Sequence, residues 1–264
     1  MTRPVAGREA GAYLALVTAG SIAVAVALPQ NGAAPLLSAI IPVVALLILT
    51  PVLGRSTWSN LGLSSTGLRQ WPIALAVPVG VAALAYSIGV LTGLVGGVAD
   101  LRILSVLTNI MLGTLLVLGE EVGWRGFLLP RVQQITSRRT AALVTGFAHA
   151  LVHLPLILLT TTYNSEGSRW VVAPLTVVTI TAAGVFYAWL RDSSGSIWPA
   201  ALAHSAGNTL VAWIATAVIP GQAAAAAQFA GEGGLLPAVA MSTVAGLLLV
   251  RARVWQPGVL AYAH

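Results

Sequence analysis

Long apolar runs separated by short polar connections organise this chain. Stretches near the ~20 residues that cross a bilayer as a helix fall at about 10–29, 35–53, 71–95, 103–122, 140–162, 170–190, 197–219 and 235–252. The pattern predicts an all-α, polytopic membrane protein of about eight transmembrane helices, with residues 1–264 forming one integral-membrane domain. No repeat, heptad or soluble segment interrupts it. The first run follows Arg3 and Arg8 and contains "AVA", as a secretory signal would. It is longer than the usual apolar core of about 7–15 residues, so a retained anchor is expected. "WSNLGLSSTGLRQWP" reads as an interfacial loop with Trp58 and Trp71 at the headgroups, where indoles favour the wet boundary. "GQAAAAAQFAGEGG" at 221–234 reads as an outer loop or short surface helix. Gly89 and Gly93 form a GxxxG pair, of a kind that 27 glycines produce by chance.

Composition agrees. The chain is 57% hydrophobic and 8% charged, with mean hydropathy +0.89, whereas soluble domains run about 45–50% apolar and about 25% charged. Absence of cysteine excludes disulfides, zinc–thiolate sites and a thiol nucleophile. Every basic residue is an arginine, and the lysine-free, alanine-rich composition suits a bacterium with a GC-rich genome. Nothing resembles a nucleic-acid-binding module, so the positive balance is read as topogenic loop charge.

The arginines test the span count. With the N-terminus inside, cytoplasmic segments hold Arg3 and Arg8, Arg55 and Arg69, then Arg125, Arg131, Arg138 and Arg139, then Arg191, then Arg251 and Arg253. Outer loops hold only Arg102 and Arg169. This is the bias expected of eight helices with both termini in the cytoplasm of a cell (inner or plasma) membrane.

Few ionisable residues remain within the spans: Glu120, Glu121, His149, His153 and His204, with Asn208 as a notable amide. A charge at mid-membrane costs roughly 2.5–3.5 kcal/mol on insertion scales, so such groups persist where they face a cavity, a partner or a site. At 1.5 Å of rise per residue, His149 and His153 stand roughly 15 and 21 Å up a helix starting near 139; His204 and Asn208 stand roughly 10 and 16 Å along one starting near 197. Glu120 and Glu121 lie toward the cytoplasmic end of the fourth span. Three helices thus bring polar groups to similar depth, and the predicted polar site is a cavity opening toward the cytoplasmic side.

Spacing adds detail. His149 and His153 share a helix face, as do His204 and Asn208. Adjacent Glu120 and Glu121 point about 100° apart, so one is expected in the cavity and the other against Arg125, four residues beyond Glu121. A carboxylate in a low-dielectric cavity can act as a general base beside an imidazole. Two histidines and a carboxylate also form a zinc-type ligand set, and an imidazole with an amide can hold an oxyanion. Singly, each residue has a plainer reading: histidine or asparagine as interhelical glue, the glutamate pair as a transporter's proton site. A carrier, or a non-catalytic immunity or scaffold protein, therefore stays open as an alternative. A carrier would predict paired broken helices in two related halves, and no such repeat is visible.

Three motifs carry a resemblance. "EEVGWR" at 120–125 fits EExxxR, "HALVHLP" at 149–155 resembles FxxxH, and "HSAGN" at 204–208 matches HxxxN. In order and separation they resemble the CAAX-protease and bacteriocin-processing family of intramembrane proteases, which includes the type II CAAX prenyl endopeptidases. The resemblance implies an endopeptidase cleaving a membrane-associated or lipidated peptide or protein at the bilayer. It further implies that Glu120 activates the attacking water with His153, that His204 and Asn208 stabilise the oxyanion, and that Glu121 and Arg125 complete the first motif. The cofactor expectation is none or zinc. A metal would be held by Glu120, His153 and His204, with His149, while the lack of HExxH or cysteine ligands favours a metal-free water. One departure stands out: His149 occupies the position of the pattern's Phe, and Phe147 lies two residues earlier, on another face.

Overall fold

A computed structural model describes residues 3–58, 60–96, 102–163 and 166–256. Helices occupy all eight stretches expected to span: α1 (Arg3–Ala27), α2 (Ala34–Leu53), α3 (Trp71–Leu91), α4 (Ile103–Glu121), α6 (Arg138–Leu151) with α7 (Leu154–Leu159), α8 (Arg169–Ser194), α9 (Trp198–Thr216) and α11 (Leu235–Arg251). The short α5 (Leu129–Ile135) and α10 (Ala223–Phe229) complete the set. By length and composition six of the helical runs can cross a membrane. α9 is not among them because its histidine and asparagine dilute its apolarity, and α11 has only 17 residues. Strands are absent among the described residues apart from an isolated bridge between Val95 and Val218. Large apolar side chains such as Leu104, Leu112 and Leu115 of α4 point outward and exposed, the arrangement a lipid solvent tolerates.

Successive connections alternate between two ends. At one end the Thr161 N–H donates to Pro29 O (2.8 Å), Tyr163 Oη donates to Glu232 Oε1 (2.8 Å), and the Ile219 N–H donates to Leu94 O (3.1 Å). At the other, the Ile197 N–H donates to Gly62 O (3.0 Å), while Gln133 Nε2 and Trp255 Nε1 both donate to Asp192. The interfacial loop lies at this second end, its indoles tied locally: Trp58 Nε1 donates to Thr50 Oγ1 and Trp71 Nε1 to Thr66 O.

Two expected boundaries move. The fourth span does not stop near 122. α4 passes into a π-helical segment, Val122–Leu128, and then α5, one run of 33 residues. Pro130 has no N–H to return to Gly126 in an α register, and the widened turn absorbs that gap; π-turns of this kind concentrate at functional sites. Glu120 to Arg125 consequently stand mid-run rather than at a wet edge. Arg125 and Arg131, expected in a cytoplasmic loop, are buried helix residues. Arg131 pairs with Glu9 of α1 at 2.6 Å and covers the Phe127 ring at 3.4 Å. The arginine bias survives on the remaining connections.

The fifth span breaks in its middle. Pro155 cannot donate to Leu151 O, so α6 ends at Leu151 and the His153 N–H closes a tight turn onto Ala150 O. His153 becomes the residue preceding α7 rather than a mid-helix position.

Close approaches set the depth of the polar groups. A Cβ on Gly113 of α4 would collide with Ser205 of α9, whose Oγ donates to Ile110 O (2.8 Å). A Cβ on Gly146 of α6 would lie 2.6 Å from Thr181 O of α8, facing Gly184. The Gly89/Gly93 pair makes no such helix contact: Gly89 packs on Val95, and Gly93 turns the chain with φ +72°.

Candidate functional site

The end of α4 and the π-helical segment present Glu120, Glu121, Trp124 and Arg125; α6 and its break present His149 and His153; α9 presents His204 and Asn208. The wide turn lets both glutamates and the arginine point inward. Glu121 and Arg125 are fully enclosed, and Glu120, His149 and His204 are buried.

Arg125 Nη1 donates to Glu121 Oε1 at 3.0 Å and to His149 Nδ1 at 3.1 Å. A guanidinium has no acceptor, so Nδ1 of His149 is the accepting nitrogen and Nε2 carries the ring proton. That N–H donates to Glu120 Oε2 at 3.2 Å. On the other side, His204 Nδ1–H donates to Glu121 Oε1 at 2.9 Å, leaving Nε2 without a protein partner among the described residues. His153 Nδ1–H donates to His149 O at 2.9 Å and likewise leaves Nε2 open.

Aromatic rings hold the imidazoles. His149 stacks on Trp124 (centroids 4.7 Å), His204 stacks on Tyr187 (5.4 Å), and Arg125 lies over the same Tyr187 ring at 5.0 Å. Tyr13 of α1 contacts Trp124 edge-on at 5.8 Å.

Glu120, His149, His153, His204 and Asn208 all line one cavity of about 420 Å³. Most of the remaining wall is apolar, from residues such as Ile41, Val81, Val117 and Phe186. Its far lining is Gly32, Tyr163 and Glu232, which belong to the end carrying the 28–33, 160–163 and 217–234 connections. The cavity therefore leads away from the arginine-rich end, not toward it as expected. The physical reason is the helix break: α6 brings both histidines past mid-span, and the open volume lies beyond them. Burial, and next Glu232, push the Tyr163 phenol well above its ordinary range, so it stays protonated and donating.

All the site residues expected from sequence thus border one volume or the ion pair beneath it. Glu121 and Arg125 form the pair predicted by their spacing, while Glu120 faces the cavity. Donor atoms of Glu120, His149 and His153 lie within 4.8 Å of one another; His204 does not join that group, being tied to Glu121. Trp124, Tyr187, Tyr163 and Glu232 were not singled out from sequence. Trp124 lay inside the first motif; for the others no local signal marks them, since contact with the site comes from packing.

Residues 101–210 match the family model described as Type II CAAX prenyl endopeptidase Rce1-like. The matched stretch runs from the start of α4 into α9 and contains all three motifs. No curated protein matches the chain.

Proposed function

Because residues 101–210 carry the Rce1-like segment that the three motifs resemble, we propose that this protein is an intramembrane endopeptidase in which Glu120 activates water for attack on a peptide bond. The observation that carries the reading is the convergence, on one apolar cavity, of a carboxylate oxygen and two imidazole nitrogens with no protein partner among the described residues. α1 to α6, α8, α9 and α11 share one core cluster, which supports reading residues 1–264 as one protease domain.

The chemistry proceeds by hydrolysis. Water between Glu120 and His153 gives a proton to Glu120, and its oxygen bonds to the scissile carbonyl carbon. His153 Nε2 orients that water. The oxyanion takes hydrogen bonds from Asn208 and from the Nε2–H of His204 as the imidazolium, its Nδ1–H held by Glu121 and its ring steadied by Tyr187. The C–N bond then breaks as Glu120 passes the proton to the leaving amine, and carboxylate and amine products depart. In a largely apolar cavity, such preorganised donors are worth more than in solution.

A metal fits these donors poorly. The compact group includes His149, whose Nδ1 accepts from Arg125 and whose Nε2 is protonated, so it has no lone pair to offer. The pair with open nitrogens, His153 and His204, does not form one compact group with Glu120. The apolar wall suits a substrate whose cleaved segment carries apolar side chains or a lipid group at the membrane. Purified protein in detergent should cleave members of a fluorogenic library of apolar and lipidated peptides. Cleavage that survives Glu120→Gln would overturn the mechanism.

A further inference from the structure

The hydrogen bonds around Arg125 join five side chains into one series: Glu120, His149, Arg125, Glu121, His204. Its direction is fixed at the arginine. Both Nη1 hydrogens are committed, one to His149 Nδ1 and one to Glu121 Oε1, and this leaves His149 a single tautomer with its proton toward Glu120. The ring cannot swing away, because it is 2% exposed and stacked on Trp124.

From this geometry we infer that His149 is a positioning residue: its Nε2–H anchors one oxygen of Glu120, so that the other is presented to the cavity. Its Nδ1 in turn fixes that anchor to the Arg125–Glu121 ion pair. The inference rests on the reading of Glu120 as the base. A phenylalanine, which the FxxxH pattern carries at this place, would stack on Trp124 equally well but supply neither bond. This chain therefore holds its carboxylate by a hydrogen bond that the pattern does not provide. It also follows that His149 serves as a hydrogen-bond link and not as a metal ligand.

Two near-isosteric substitutions separate the bonds. In His149→Gln the terminal amide N–H reaches the place of Nε2 and keeps the hold on Glu120. In His149→Asn the amide oxygen stands near Nδ1 and keeps the bond from Arg125, but nothing reaches Glu120. With full-length protein in detergent and one cleavable peptide, His149→Asn and His149→Phe should lower kcat by ~10–100-fold, the scale of lost partners of a reacting group, with KM within about twofold. His149→Gln should retain kcat within a few-fold. Equal loss in the Gln and Phe variants, or a change in KM alone, would overturn the inference. A second measurement does not depend on activity: ¹⁵N spectra of histidine-labelled protein should show His149 protonated at Nε2 and unprotonated at Nδ1. The opposite tautomer, or a His149 nitrogen shifted by bound Zn²⁺, overturns the inference whatever the activity. If the tautomer is as expected but no peptide is cleaved, the hold on Glu120 stands and the endopeptidase reading falls.

Discussion

Gly184 of α8 lies directly against Gly146 of α6, so that a Cβ on either would meet the other helix's backbone. A Cβ at Gly184 would also stand 3.0 Å from Arg125 Nη2. The glycine pair thus makes the room in which a fully buried guanidinium can reach His149. Gly146→Ala is expected to destabilise the protein by about 1–3 kcal/mol, the usual cost of overpacking. A thermal melt in detergent checks it; an unchanged midpoint would mean that α6 and α8 are not held this closely.

The two glutamates should separate in their effects. Glu120→Gln is expected to reduce kcat by ~10²–10⁴-fold, the span of general-base contributions, with little change in melting temperature. Glu121→Gln removes the charge that accepts from both Arg125 and His204. Breaking one side of a buried ion pair costs about 3–5 kcal/mol, so this variant should lose stability and activity together. Parallel melts and rate measurements distinguish the pattern, and the reverse ranking would exchange the two roles.

Docking of α1 depends on Glu9 and Arg131, whose side chains are each 10% exposed. Arg131→Gln and Glu9→Gln should each lower the melting midpoint, and the double variant should lose less than the sum of the two. A coupling of about 0.5–3 kcal/mol is expected for groups in direct contact. Strict additivity would indicate that the pair contributes nothing to the docking.

Pro155 creates the break that turns His153 toward the cavity. Pro155→Ala restores an N–H that can bond to Leu151 O and allows α6 to run on. The expected result is an unchanged or higher melting temperature with kcat lowered at least ~10-fold, since small misplacements of reacting groups carry such costs. Retention of full activity would show that the break is incidental to His153's position.

The absence of cysteine makes the two ends directly testable. Gly32→Cys and Gly231→Cys share the end to which the cavity leads, and Ser137→Cys lies at the arginine-rich end. If the arginine-rich end is cytoplasmic, a membrane-impermeant maleimide should label the first two in intact cells and Ser137→Cys only after permeabilisation. Labelling of Ser137→Cys in intact cells would invert the orientation and return the cavity to the cytoplasmic side.

The sequence alone was enough for the all-α membrane architecture, the eight apolar stretches, the three motif helices and the Glu121–Arg125 pair. Those follow from local quantities: hydropathy over a bilayer's thickness and the 3.6-residue turn that sets an (i, i+4) pair. Helix continuity past Glu121 was not legible, because a π-turn depends on how Gly123 packs against Tyr13 of α1 and Pro42 of α2, and Gly126 against Leu61, rather than on periodicity. The cavity's course toward the end with fewer arginines was not legible for the same reason: reading Arg125 as a wet-edge residue places the site too near one face. Only the tertiary structure gives His149 its partners, since Glu120 and Arg125 reach it from another helix. A histidine's tautomer is set by whichever donor packs against it, and no spacing along the chain encodes that donor.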